Sequence, residues 1–180
     1  MKRKKFNSSE RIRKLTQLSV FLAMGIILNF VESLIPLPGV VPGIRLGLAN
    51  TIGLVLLYYY SPKEYLAIGF LRVLIVGLLR TGLFSVSFML SLSGWLASSL
   101  IALLLYLFKR FSIFGLSCAC AVFHGVGQII AVIFIYSSVG LLLYLPILML
   151  SGVVTGALTA SVTSLVLTKF DKHIGFIVQE

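Results

Sequence analysis

Between Arg110 and Lys169 the chain carries no Asp, Glu, Lys or Arg, yet it holds two apolar runs, about 113–137 and 140–168, each long enough to cross a bilayer. About 20 apolar residues cover the roughly 30 Å of hydrocarbon. In that solvent backbone amides must bond within their own segment, which leaves helices for runs of this kind. Four earlier runs, about 15–35, 44–61, 64–80 and 83–108, bring the expected number of spans to six. The third carries Arg72 and is bounded by Arg80, so it forms a span only if those arginines face protein or water. At 59% hydrophobic and 11% charged residues, with a mean hydropathy of +1.09, the chain lies far outside the range of soluble domains. The expected fold is an all-α integral membrane protein, a six-transmembrane-helix bundle. It comprises a basic N-terminus over 1–14, one membrane domain over 15–168 and a tail over 169–180.

The net charge of +10 does not point to nucleic acid, because the basic residues sit at the ends of apolar runs, where they set orientation. Lys2, Arg3, Lys4, Lys5, Arg11, Arg13, Lys14, Lys63, Lys109, Arg110, Lys169 and Lys172 all fall on one side of a six-span topology. Both termini are therefore expected in the cytoplasm. Arg45 and Arg80 fall outside, and Arg72 lies within the membrane. The expected location is a bacterial plasma membrane, crossed several times.

The apolar run that begins at Leu15 exceeds a signal-peptide core and has no small-x-small cleavage site, so it is expected to stay as a helix. Pro36, Pro38, Gly39, Pro42 and Gly43 crowd the first external loop and predict a short, stiff cover. Cys118 and Cys120 point to nearly opposite helix faces, which disfavours a disulfide or a shared metal. Gly152, Gly156, Ala160 and Ser164 recur every four residues, and Ala121 and Gly125 do the same, as close helix packing in lipid requires. Ser19 and Ala23 share that spacing near the cytoplasmic end of the first span. They read either as internal packing or as a docking face for another membrane subunit.

Depth assignment gathers the polar residues into one leaflet. Glu32 ends the first span there, Arg45 and Asn50 begin the second, and Arg80 ends the third. Arg72, Trp95 and His124 lie nearer the middle, with Gln128 one turn farther out than His124 on the same face. An outward-facing polar cavity beneath the first loop accommodates them all. Three arginines against one glutamate favour an anionic ligand with an apolar body, since a guanidinium fork suits carboxylate or phosphate. Two readings stand for several of these residues. His124 is a ligand contact or a hydrogen-bonded core histidine, Arg45 and Arg80 are ligand contacts or snorkelling anchors, and Trp95 stacks on a ligand or fills the interior. Ser87 and Ser91 default to bonds with carbonyls of their own helix.

Several enzyme classes are excluded by inventory. There is no Gly-x4-Gly-Lys-Ser/Thr loop for ATP. Glu10, Glu32, Glu64, Asp171 and Glu180 are too scattered for magnesium-diphosphate chemistry. No set of His, Cys and acidic residues has the spacing of a metal site, and no cofactor is expected.

Pro42-Gly-Ile-Arg-Leu-Gly-Leu-Ala-Asn50, Glu32-Ser33 followed by Ile35-Pro36, and His124-Gly-Val-Gly-Gln128 resemble the Gx transporter family, also labelled heptaprenyl diphosphate synthase component I. The resemblance extends over essentially the whole chain. That family is similar to the substrate-binding S components of energy-coupling factor (ECF) transporters. The similarity implies six helices, an outer pocket capped by the first loop, and a small-x3-small docking motif that Ser19 and Ala23 would fill, with serine for the commoner alanine. Arg45 stands where the family often has lysine. Gly125 replaces an asparagine usual after the histidine, so no amide contact is carried over there.

The expected function is substrate capture for an ECF-type uptake transporter. Its substrate class is a small anionic and partly apolar molecule, an isoprenoid or quinone-related precursor. A separate membrane coupling subunit and cytoplasmic ATPases would supply the energy. Arg45, Asn50, Arg72, His124 and Gln128 are the expected ligand contacts, with Glu32 orienting an arginine and Arg80 and Trp95 completing the pocket. Two rivals are a non-catalytic accessory subunit of a prenyl diphosphate synthase and a self-sufficient secondary carrier.

Overall fold

Apolar sequence folds here as helix, and the helices that begin at Pro62, Val86 and Ile113 each start where a serine accepts from a backbone N–H of the first turn. A computed structural model describes residues 8–34, 47–108 and 111–174, apart from the side chains of Thr81 and of residues 170–174. Among the described residues there is no strand. The α-helices are α1 (Ser8–Leu34), α2 (Leu48–Tyr59), α3 (Pro62–Val76), α4 (Val86–Phe108), α5 (Ile113–Tyr136) and α6 (Leu145–Ile174). A π-helical turn, Gly77–Thr81, prolongs α3, and a 3-10 turn, Val139–Tyr144, leads into α6.

Local chemistry explains the boundaries. Ser61 caps α3 by accepting from Lys63 N at 3.3 Å, with Pro62 in the first turn, where a missing N–H is harmless. Ser112 caps α5 through Gly115 N at 3.2 Å. Ser85 accepts from Phe88 N at 3.1 Å. The fourth run starts at Val86 rather than 83 because Gly82 (φ 79°) and Phe84 (φ 71°) turn the chain in the left-handed region. At the amino end the helix reaches back to Ser8, with Glu10 in its first turn, where a carboxylate favours the helix dipole. Arg11, Arg13 and Lys14 are therefore helical.

Four helical stretches are long and apolar enough to cross a membrane: Ser8–Leu34, Val86–Phe108, Ile113–Tyr136 and Val139–Lys169. Their outward faces carry Ile27, Leu100, Phe134, Leu150 and Leu165, each more than half exposed. An apolar surface of this extent suits lipid rather than water. The protein is thus an all-helical, multi-pass membrane protein.

α2 departs from that pattern. Its 12 residues span about 18 Å at 1.5 Å per residue, less than the hydrocarbon thickness. Leu54, Val55, Leu56 and Leu57 are exposed by only 4, 0, 1 and 0%. Four consecutive helical residues point in all directions, so α2 is enclosed by protein on every side. It packs on α1, α3 and α6. With Tyr65, Ile68, Ala102, Leu116 and Cys120 its side chains form the main hydrophobic cluster.

Two hydrogen-bonded belts hold the ends of the bundle. At one, Lys14 pairs with Glu64, Tyr60 donates to Gln17 Oε1 at 2.9 Å, and Tyr59 donates to Leu167 O at 2.9 Å. At the other, Glu32 accepts from Gly47 N. Thr159 Oγ1 donates chiefly to Thr155 O at 2.8 Å and lies 3.3 Å from Gly47 O.

Small residues bring the helices together. A Cβ on Gly156 would lie 2.6 Å from Cys118 Cα, and one on Gly152 would lie 3.0 Å from Val122 N. α5 and α6 therefore touch backbone to backbone, fastened by Ser117 Oγ donating to Gly156 O at 2.7 Å. Gly125 meets Leu148 in the same interface. The small-residue series on these two helices is packing.

Candidate functional site

The second belt forms the start of a polar wall. Gly47 adopts φ 80°, a conformation glycine reaches without penalty, and from it α2 sets out with Asn50 in its first turn. From α3, Arg72 reaches across to donate to Asn50 Oδ1 at 3.1 Å and to the Ala49 carbonyl. The approach requires Gly25 on α1, where a Cβ would stand 3.3 Å from Arg72 Cδ. The arginine is therefore anchored by neutral oxygens of α2 while its stem lies over α1.

Behind this wall is a cavity with about 130 Å³ open to the centre of a water-sized sphere, lined by all six helices. Glu32, Asn50, Arg72, Arg80, Trp95, His124 and Gln128 all line it. Arg45 and the proline-rich first loop lie outside the described residues. Ser19 and Ala23 stand on the exposed face of α1, away from the cavity. The π-helical turn carries Arg80, exposed yet on the cavity wall. A π-turn re-aims the residues that follow it, and here it is seated by Phe88 against Gly77, where a Cβ would lie 2.4 Å from the ring.

Two aromatic side chains are set by glycines. Trp95 on α4 packs on Gly69 of α3, its Nε1 2.4 Å from where a Cβ would be, and its ring is tilted against Phe70 at 5.7 Å. The indole N–H is buried and has no hydrogen-bond partner among the described residues. His124 on α5 lies against Gly94 of α4, 2.8 Å from a Cβ position. Gln128, one turn on, is 5% exposed. Ser91 donates to Ser87 O at 2.9 Å and Ser93 to Leu90 O at 3.1 Å, so these serines turn to their own helix.

Sequence reasoning passed over Asn29, Thr155 and Thr159, which also line the cavity. Asn29 carried a legible signal, since it precedes Glu32 by three residues and so shares its helix face. Thr159 carried none, because a threonine in an apolar helix ordinarily bonds its own backbone.

Among the described lining residues two guanidinium groups face one carboxylate. Among the described residues, no three His, Cys, Asp or Glu side chains come together. Phe21, Tyr65, Phe88 and Trp95 supply apolar and aromatic surface. The arrangement is a small, net-cationic site with an apolar body and several hydrogen-bonding groups.

A family model described as heptaprenyl diphosphate synthase component I matches residues 21–166. Neither a curated protein nor a solved structure matches the chain.

Proposed function

The chain belongs to the heptaprenyl diphosphate synthase component I family, and we propose that it serves as the membrane-embedded substrate-binding component of an ECF-type uptake transporter. One observation carries this reading: seven polar or aromatic residues from five helices and the π-turn converge on a single cavity. Ionisable side chains are costly at membrane depth, and arginines brought to a cavity wall mark a ligand or ion pathway. The ligand is a small anionic molecule with an apolar body, of the isoprenoid or quinone-related class. Arg72, Arg80, Asn50, His124 and Gln128 contact it, with Trp95 and Glu32 shaping the wall.

In this reading the chain crosses a bacterial plasma membrane six times, with the basic segment 1–14 and the tail 169–180 in the cytoplasm and the membrane domain over 15–168. Arg45 faces the outer side. The protein itself performs no catalysis and needs no cofactor. A transmembrane coupling subunit, docked at Ser19 and Ala23, joins it to cytoplasmic ATPases.

The decisive experiment is native mass spectrometry of the purified protein, paired with uptake in vesicles containing or lacking the coupling subunit and its ATPases. An anionic ligand bound to the wild type and absent from Arg72→Ala, with uptake that requires ATP, supports the proposal. Uptake driven by an ion gradient without any ATPase makes the protein a secondary carrier. Co-purification with a synthase whose prenyl transfer it restores makes it an accessory subunit. Either result removes the transporter-component reading.

A further inference from the structure

The cavity contains a second kind of polar surface that the arginines do not account for. Gln128 is nineteen-twentieths buried and lines the cavity. Asn29, on the wall supplied by α1, has a buried Oδ1 that lacks a hydrogen-bond partner among the described residues. Buried amides are almost always paired, and each exception calls for a reason. At membrane depth bulk water does not supply one, so an unpaired amide is a standing cost. An unpaired amide oxygen, with a second buried amide on the same small cavity, indicates a partner that arrives with the ligand.

We propose that Asn29 and Gln128 form a neutral amide subsite, so that the ligand carries a hydroxyl, carbonyl or amide group in addition to its anionic one. This rests on the anion-capture reading above and narrows it. A ligand whose body is bare hydrocarbon covers both amides without pairing them, and a site built to bond a polar group discriminates strongly against an analogue lacking it. The subsite therefore selects oxygenated small anions over plain prenyl chains. The aromatic side chains Trp95 and Phe88 on the same wall suit a flat ring carrying the two polar groups.

The test uses the full-length protein in lipid nanodiscs and four probes: benzoate, 4-hydroxybenzoate, phenyl phosphate and 4-hydroxyphenyl phosphate. The carboxylate and phosphate pairs separate the two possible anions. The expected result is that the hydroxylated member of at least one pair binds ten times or more tighter than its plain partner. Gln128→Leu then lowers its affinity to the plain partner's level. Equal binding within both pairs overturns the amide subsite and leaves anion capture standing. Binding of none of the four overturns both. A readout independent of ligand comes from the empty protein, in which Gln128→Leu or the unbranched Gln128→Met is expected to melt higher than wild type. If both variants melt lower, the amide is structurally paired and the subsite is refuted.

Discussion

Arg72 on α3 holds Asn50 on α2 through a hydrogen bond of 3.1 Å to Oδ1, while a second guanidinium nitrogen donates to the carbonyl of Ala49. The same fork that orients one wall of the cavity thus also fastens the first turn of α2. Arg72→Lys keeps the charge but loses the planar fork. Its expected effect is at least a tenfold loss of ligand affinity. Arg72→Met also leaves both oxygens of α2 without their donor, and should lower stability by about 2 kcal/mol. Thermal melts and titrations of the two variants separate the roles, and equal affinity of Arg72→Lys and wild type would remove Arg72 from the ligand contacts.

Gly47→Ala places a Cβ at φ 80°, 2.9 Å from Thr159 Oγ1. The left-handed conformation alone costs a non-glycine residue about 1–2 kcal/mol, so the variant should melt lower than wild type and release ligand faster. Unchanged melting would mean that the start of α2 is held elsewhere.

Two glycine substitutions should part company. Gly156→Ala drives a methyl into the backbone of α5, which cannot yield as a side chain can, and the expected penalty is about 2–3 kcal/mol. Gly94→Ala instead meets the His124 ring, 2.8 Å away, and shifts it within the cavity. Its main effect is expected on affinity, with a smaller change in melting. A larger melting loss for Gly94→Ala than for Gly156→Ala would contradict this division.

The Lys14–Glu64 pair is partly open, with side-chain exposures of 36% and 18%. A double-mutant cycle with Lys14→Met and Glu64→Gln should return a coupling of less than about 1 kcal/mol, weakened by salt. Glu64→Gln alone should cost more than Lys14→Met, because Glu64 also accepts from Ser61 at the cap of α3.

Sidedness can be read with single cysteines after Cys118 and Cys120 are replaced. Residues introduced at Ser112 and Gly140 lie at opposite ends of α5. A membrane-impermeant thiol reagent added outside intact cells is expected to label Gly140→Cys and spare Ser112→Cys. The reverse pattern would invert the proposed orientation.

The long apolar runs made α1, α4, α5 and α6 legible because lipid-facing helices must be apolar over their full length. α2 was harder to delimit. Leu54–Leu57 reads the same whether a helix faces lipid or is wrapped by protein, and the pattern alone placed its start at 44 rather than at Leu48. Gly47 and the π-turn at Gly77–Thr81 follow from contacts with Thr159 and Phe88, which lie 112 and 11 residues away and leave no local mark. In the candidate site, charge and spacing identified Glu32, Asn50, Arg72, Arg80, His124 and Gln128 as partners in one cavity. Asn29 escaped because a single amide in an apolar run reads as tolerated helix.

The enclosure of α2 sets the depth of the site. Helices bathed in lipid tilt or slide when the bilayer thickens or thins, whereas α2 takes its position from the side chains wrapped around it. The wall bearing Asn50, and Arg72 fastened to it, is thereby insulated from membrane thickness. A change in bilayer thickness is therefore expected to reach the cavity through α1, α4, α5 and α6 rather than through the Asn50 wall.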